Sequence, residues 1–421
     1  HLLGLRGLLT LLTTLTFFLT TFVPSAVKTA DPSAQTPGPL YATILRKTLG
    51  PLFWNQFLLY SFFIFLSARS VCIPFLHSHA RLDFARVVFQ RGVRLWTPTA
   101  VALLCAWGAM SKWGHVVERF RQRTGNSNMQ PLFHIKDTGV FFNALFNVFW
   151  VNKAFFNQAA STAFPGQMLW MVSVIYQQSY TVYMTMLITP YTLPTWRIKS
   201  LTALTLAAYW VQSWAWYSIT ALLLSDTLIN TSLATHLRRP ITLKLGTRRL
   251  GYWALGLPTW PLFVLVMLTG AILSYVYAAY RPGWTNRELV AHAGMYYSGG
   301  LNTRPDVREP QARVDNYLVV VGFFGLLESC RAVRWFCRLP LFVFLGRRSL
   351  SYFLTTPIVL YTAGIGLFDA LHFYNEMGRE AAVAVVAVIM APAVVAAAEV
   401  FYWVVDRPSI AFARWAWAFA T

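Results

Sequence analysis

Hydrophobic residues in this chain run in blocks of about twenty, separated by short polar or basic stretches, with little strand-like alternation. A hydrocarbon core about 30 Å thick takes roughly 20 residues of helix, which matches the blocks. They fall at 2–23, 54–76, 95–112, 168–189, 201–224, 257–280, 317–336, 348–368 and 381–405. A further run, Gly139–Val151, is shorter and contains Asn143 and Asn147, so hydropathy alone leaves it between a span and an interfacial helix.

Charge decides the count. With that run as a span and the N-terminus cytoplasmic, three basic clusters share the cytoplasmic side: Arg69/Arg81/Arg86/Arg91/Arg94, Arg238/Arg239/Lys244/Arg248/Arg249 and Arg331/Arg334/Arg338/Arg347/Arg348. Without it, the second and third clusters change sides. The same count puts Arg304–Asp315 and the acidic turn Asp369–Glu380 outside. The expectation is an all-α polytopic membrane protein of about ten transmembrane helices, one transmembrane domain over 1–421, with both termini cytoplasmic. Against it stands the glycosylation sequon Asn230-Thr231-Ser232, which falls in a loop assigned to the inside. Pro24–Pro39 reads as a loop. The first run, of full spanning length and without a small-residue cleavage site, does not resemble a cleavable signal peptide.

Composition supports this class. Of 421 residues, 56% are hydrophobic and only 12% charged, and the mean hydropathy of +0.48 excludes an ordinary soluble domain. A formal net charge of +20 would suggest nucleic acid in a soluble protein. Here the basic residues sit between apolar runs, so membrane lipid headgroups are the expected partner and nucleic acid is not. Cys72, Cys105, Cys330 and Cys337 lack metal-ligand spacing and read as free, packed thiols, with no metal site expected. Trp210, Trp214 and Trp216 read as packing and interfacial belt rather than a sugar platform.

Arg6 is the first chemical question. One turn inside an apolar run, it either snorkels to headgroups or faces the bundle interior. Arg91 and Arg94 carry two readings as well: markers of the cytoplasmic side at the start of a third helix, or a bidentate phosphate site. Asp406-Arg407-Pro408 reads first as architecture, with Pro408 stopping the last helix and Asp406 pairing with a nearby arginine.

Taken in order, Leu5-Arg6-Gly7, FFIFLSAR at Phe62–Arg69, RGVRLWTP at Arg91–Pro98, LWMVSVIYQ at Leu169–Gln177, LGRRSLSYFL at Leu345–Leu354 and Asp406-Arg407-Pro408 form a set of landmarks. The set resembles the acyltransferase-3 family of integral-membrane O-acyltransferases over nearly the whole chain. The resemblance implies about ten helices and transfer of an acyl group from a cytoplasmic donor, commonly acyl-CoA, to a hydroxyl of a carbohydrate or other acceptor.

The departures from the family pattern are concerted. The family's first-helix histidine, a general base, is Phe17 here, and phenyl cannot take a proton. The glutamate of the family's WSLSVE motif is Ile175, the first-helix acid is Leu3, and a later histidine falls around Thr355 and Thr356. Arg6, Ser67, Arg91, Arg94, Ser173, Gln177, Asp406 and Arg407 remain, the first four with Ser173 and Gln177 as ligand-binding candidates. Among other histidines, His292 is the least implausible substitute base. The resulting expectation is a catalytically degenerate, acyltransferase-3-like protein that acts as an accessory or binding subunit, with a protein partner, in a membrane glycan- or lipid-synthesis system. The alternative is an active O-acyltransferase using acyl-CoA and an unrecognised base. A third reading, lipid or acyl-donor transport, ranks below both.

Overall fold

The computed structural model describes residues 1–27, 38–78, 81–126, 128–151, 155, 157–230, 241–245, 253–285, 287–288 and 310–421. His292, Thr231 and Ser232 of the sequon, and Arg238, Arg239, Arg248 and Arg249 lie outside them.

The molecule is built from helices. In order they are α1 (Leu2–Phe22), α2 (Leu40–Thr48), α3 (Gln56–Ser78), α4 (Arg81–Thr124), α5 (Thr138–Trp150), α6 (Trp170–Ile188), α7 (Pro194–Trp210) and α8 (Ala215–Asn230). After a strand pair come α9 (Trp260–Tyr275), α10 (Val314–Ser329), α11 (Arg331–Phe336), α12 (Pro340–Arg347), α13 (Ser349–Val359), α14 (Arg379–Phe401) and α15 (Arg407–Ala420). Among the described residues, six helical stretches are long and apolar enough to cross a membrane: Leu2–Phe22, Gly50–His77, Phe84–Thr124, Trp260–Tyr280, Ser349–Tyr374 and Arg379–Ala420. This is a helical, multi-pass membrane protein.

The elements correct the sequence reading in four places. The run 201–224 is two helices, α7 and α8, packed on each other across a turn in which Gln212 adopts φ +55°. The turn residues Val211 and Trp214 are themselves apolar, so a hydropathy window runs across them. The run Gly139–Val151 forms α5, whose 13 residues extend only about 20 Å. The chain ahead of α5 and the chain after it lie together: Phe133 N–H donates to the Thr162 carbonyl at 3.0 Å. Thus α5 and its return form a hairpin.

Arg91 and Arg94 lie well inside α4, not at its start; at 44 residues the helix is about 66 Å long, twice a hydrocarbon core. Pro408 does not end the chain's last helix: α14 continues through a π-helical turn, Tyr402–Asp406, into α15, and Pro408 lies just beyond that turn. The segment between α8 and α9 also contains an antiparallel pair, β1 (Ile241–Leu245) and β2 (Trp253–Leu257), with Ile241 opposite Leu257.

Two helix pairs approach at backbone distance, as membrane helices do when small residues line the contact. A Cβ on Gly4 would overlap the Cys337 carbonyl oxygen just ahead of α12, one on Gly7 the Phe342 carbonyl of α12, and one on Gly346 of α12 the Leu3 carbonyl. Between α9 and α10, a Cβ on Gly270 would lie 2.6 Å from the Asp315 carbonyl oxygen and one on Gly322 2.6 Å from the Met267 nitrogen. The largest fully buried side chains, including Trp170, Tyr60, Tyr217 and Phe324, fill the space between α3, α6, α8 and α10.

Candidate functional site

The glycine contact of α1 with α12 sets one wall of the site. It holds Arg6 and Arg347 at the same end of the bundle, where both line a cavity of about 320 Å³. Ser67 and Ser70 of α3, Arg91 and Arg94 of α4, Ser349 of α13 and Asp406 complete its polar rim and floor, and Ile175 of α6 adds an aliphatic side chain. Leu2, Phe63, Leu66, Leu95, Val172 and Phe353 form the apolar walls. Four arginines therefore face one carboxylate beside a hydrocarbon surface.

Arg91 is fixed in place: its Nε donates to Ser179 Oγ at 2.6 Å and its Nη2 to Ser67 Oγ at 2.5 Å. Ser179 Oγ in turn donates to the Ile175 carbonyl at 2.6 Å. Among the described residues the ion pairs belong to other arginines. Arg69 meets Glu328 at 2.5 Å, Arg197 meets Asp226 at 3.0 Å and Arg348 meets Glu399 at 2.6 Å. Asp406 accepts a hydrogen bond from Ser351 Oγ at 3.3 Å, and its Oδ1 is buried without a partner. Arg6 and Arg94 feel the charge of the Asp406 carboxylate, yet the cavity holds four guanidinium groups to this one acid among its described lining residues, and planar guanidinium donors suit phosphate.

Arg6 thus faces the interior, and the open choice between snorkelling and a bundle-facing role is settled for the latter. Ser173 and Gln177, the other two polar ligand-binding candidates, do not line this cavity. Ser173 is fully buried and lies 3.3 Å from Gln177 Nε2, which also donates to the Val151 carbonyl at 2.8 Å. Gln177 lines a different cleft. Of the six ligand-binding candidates, the fold gathers Arg6, Ser67, Arg91 and Arg94 and leaves Ser173 and Gln177 out. Asp406 belongs to the cavity, although no arginine makes an ion pair with it among the described residues. Arg407 is exposed, with its guanidinium 4.4 Å from the Trp403 ring centroid.

Sequence reasoning missed Arg347, Ser349 and Ser70 as cavity residues. Arg347 and Ser349 stand in the quoted LGRRSLSYFL stretch, but Arg347 looked like one more cytoplasmic charge. The close backbone contact at Gly7 and Gly346 brings it to the cavity that Arg94 also lines.

Phe17 lies eleven residues beyond Arg6, close to three helical turns, hence on the same face. It is buried but lines a second, smaller cavity of about 70 Å³ with Gln56, Gln130, Gln167 and Tyr361. Its ring meets Phe353 edge-on at a centroid distance of 6.3 Å, and Phe353 also borders the arginine cavity. Tyr60, 6.2 Å from Phe353, and Trp170, 5.0 Å from Tyr60, continue this aromatic layer. Packed aromatic rings thus lie between the two cavities. Ile175 presents an aliphatic chain to the arginine cavity. Thr355 spends its hydroxyl on the Ser351 carbonyl at 2.8 Å. The histidines His1, His77, His115, His134 and His372 do not line either cavity.

Of the cysteines, Cys72 and Cys337 are buried as expected, while Cys105 is exposed and Cys330 half-buried. Comparison with protein-family profiles, characterised proteins and solved structures finds no match to this chain.

Proposed function

We propose that this protein is a catalytically silent relative of the acyltransferase-3 O-acyltransferases. It holds a phosphate-bearing amphiphile, acyl-CoA or an anionic lipid, and serves as an accessory or binding subunit in a membrane glycan- or lipid-synthesis system. The observation that carries this reading is the composition of the 320 Å³ cavity: arginines for a phosphate, an apolar wall for a chain, and no imidazole. Phe17 and Ile175 supply neither a base nor an acid at the positions where the resemblance expects them.

The rival reading, an active O-acyltransferase, has one group to recommend it. Asp406 Oδ1 lines the cavity side of the bundle without a hydrogen-bond partner, so it is the carboxylate such an enzyme would use. Purified protein incubated with labelled acyl-CoA and a panel of glycan and lipid acceptors separates the two. The accessory reading expects no transfer above a heat-killed control. Transfer that survives removal of copurifying proteins and is lost in Asp406→Asn would establish the rival.

The same proposal includes a topology of ten crossings, α1, α3, α4, α6, α7, α8, α9, α10, α13 and α14, with α5 a re-entrant hairpin and both termini cytoplasmic. Two changes cancel: α5 is lost as a crossing, and the run 201–224 becomes two. The three basic clusters keep their common side.

A further inference from the structure

A different face of α6 borders a cleft of about 580 Å³, within the usual range for small-molecule sites. Its walls are Trp150, Tyr176, Tyr180, Trp214, Gln178 and Gln212, with further amide and hydroxyl groups between them. The cleft runs from the α7–α8 turn at Gln212–Trp214, beside Gln311 just ahead of α10, to Tyr180 and Thr181, about 15 Å along α6 from Trp170. Its described lining contains no charged side chain, the reverse of the arginine cavity.

Two of its hydrogen-bonding atoms are unspent. Gln178 Oε1 and Gln212 Nε2 are buried without partners, and burying an unpaired amide costs about 1–3 kcal/mol. Gln212 is held in the cleft wall by a left-handed backbone conformation, φ +55°. The rings are held too: Tyr176 and Tyr180 share a hydroxyl contact at 2.9 Å, and Trp214 packs on Trp170 at 6.3 Å. Trp214 therefore packs, as the sequence suggests, and also forms part of a wall.

We infer that this cleft is a binding site for a neutral polyhydroxylated ring, a sugar. Its C–H faces lie against the tryptophan and tyrosine rings, and its hydroxyls take the glutamine amides. No cation stands among the described lining residues to take an anion. A choline headgroup, which aromatic rings alone could hold, would leave the two unspent glutamine amides unused and bring a phosphate with no counter-charge among the described lining residues. The same chemistry is offered by a free oligosaccharide and by the headgroup of a neutral glycolipid. The inference does not rest on the function proposed for the arginine cavity.

The test uses the full chain in phosphatidylglycerol nanodiscs. In one arm, saturation-transfer NMR is recorded with maltotriose, cellotriose and triacetylchitotriose. In the other, native mass spectrometry counts monogalactosyl diacylglycerol retained after detergent extraction. The expected result is transfer to ring protons of at least one trisaccharide, or one retained glycolipid per protein. Either signal should fall at least fivefold in Tyr180→Ala and in Gln178→Leu and remain unchanged in Arg94→Ala. Tyr180 is 40% exposed, so its truncation leaves the core intact. No transfer and no retained glycolipid would overturn the inference, as would signals that both variants leave untouched, or phosphatidylcholine retained in place of the glycolipid.

Discussion

Glu288 shows what a single residue does to this fold. It lies beyond the end of α9, where its carboxylate accepts from the Val314 N–H at 3.1 Å. Burial, and secondarily the neighbouring Asp315 carboxylate, push its pKa up from the ordinary 4.5 to about 7, against the smaller pull of that N–H and Arg313. A folded pKa above the unfolded one means the folded state binds more protons between the two values. The stabilisation is therefore complete below pH 4.5 and is lost as pH rises through 7. Glu288→Gln keeps the acceptor oxygen and removes the charge. Melting curves by intrinsic fluorescence should show the variant more stable than the parent at pH 8, on the order of 1–3 °C, with little difference at pH 4.5. Equal pH dependence in both proteins would contradict this assignment.

At this same scale, the site was half legible. Arg6, Ser67, Arg91 and Arg94 are reachable from motif order alone, and the eleven-residue spacing puts Phe17 on the face of Arg6. That Phe17 and Arg6 border different cavities depends on the Phe353 ring between them, a contact 336 positions away in sequence that no local pattern encodes. Ser173 and Gln177 were misplaced because adjacent residues of a helix project to different faces: Ile175 borders the arginine cavity and Gln177 the neutral cleft.

Among elements, the α1–α12 contact matters most, because it brings Arg6 and Arg347 to one cavity. Gly7 allows the approach, and any side chain there must push the Phe342 backbone away. Gly7→Leu should cost about 1–3 kcal/mol through overpacking and separate the two arginines. Size-exclusion profiles after heating should show earlier loss of the monodisperse peak than in the parent. Leu11→Ala, on an exposed part of α1, should show none. Element existence was legible from the apolar blocks, since a spanning helix must satisfy its own backbone in lipid. The α7–α8 turn was not, because Val211 and Trp214 give it the hydropathy of a span. Nor was the hairpin nature of α5, which lies in how its flanks pair rather than in its own residues.

For the whole molecule, the proposed topology keeps the positive-inside pattern because its two departures from the sequence reading cancel in parity. The two readings differ at Lys199. Ten crossings with α5 counted place it outside, whereas a re-entrant α5 places it with the cytoplasmic clusters. The structure favours the second: Tyr183, near the end of α6, packs its ring on Phe84 at the start of α4, 5.5 Å away. In a background without the native cysteines, Lys199→Cys and Arg331→Cys should react with an impermeant thiol reagent from the same side. Asp137→Cys and Glu376→Cys should react from the other. Lys199→Cys reacting together with Asp137→Cys would restore α5 as a crossing.

The proposed function requires that the arginine cavity bind a phosphate-bearing amphiphile without consuming it. Native mass spectrometry of the intact protein, loaded separately with palmitoyl-CoA and with phosphatidic acid, measures this directly. The parent should carry one molecule of at least one of them, with the thioester of bound palmitoyl-CoA intact. In Arg6→Ala, Arg94→Ala the adduct should weaken tenfold or more, as expected when charged hydrogen bonds worth about 1.5–3 kcal/mol each are removed. Absence of both adducts, adducts insensitive to the two substitutions, or free CoA released with the palmitoyl group transferred would contradict it.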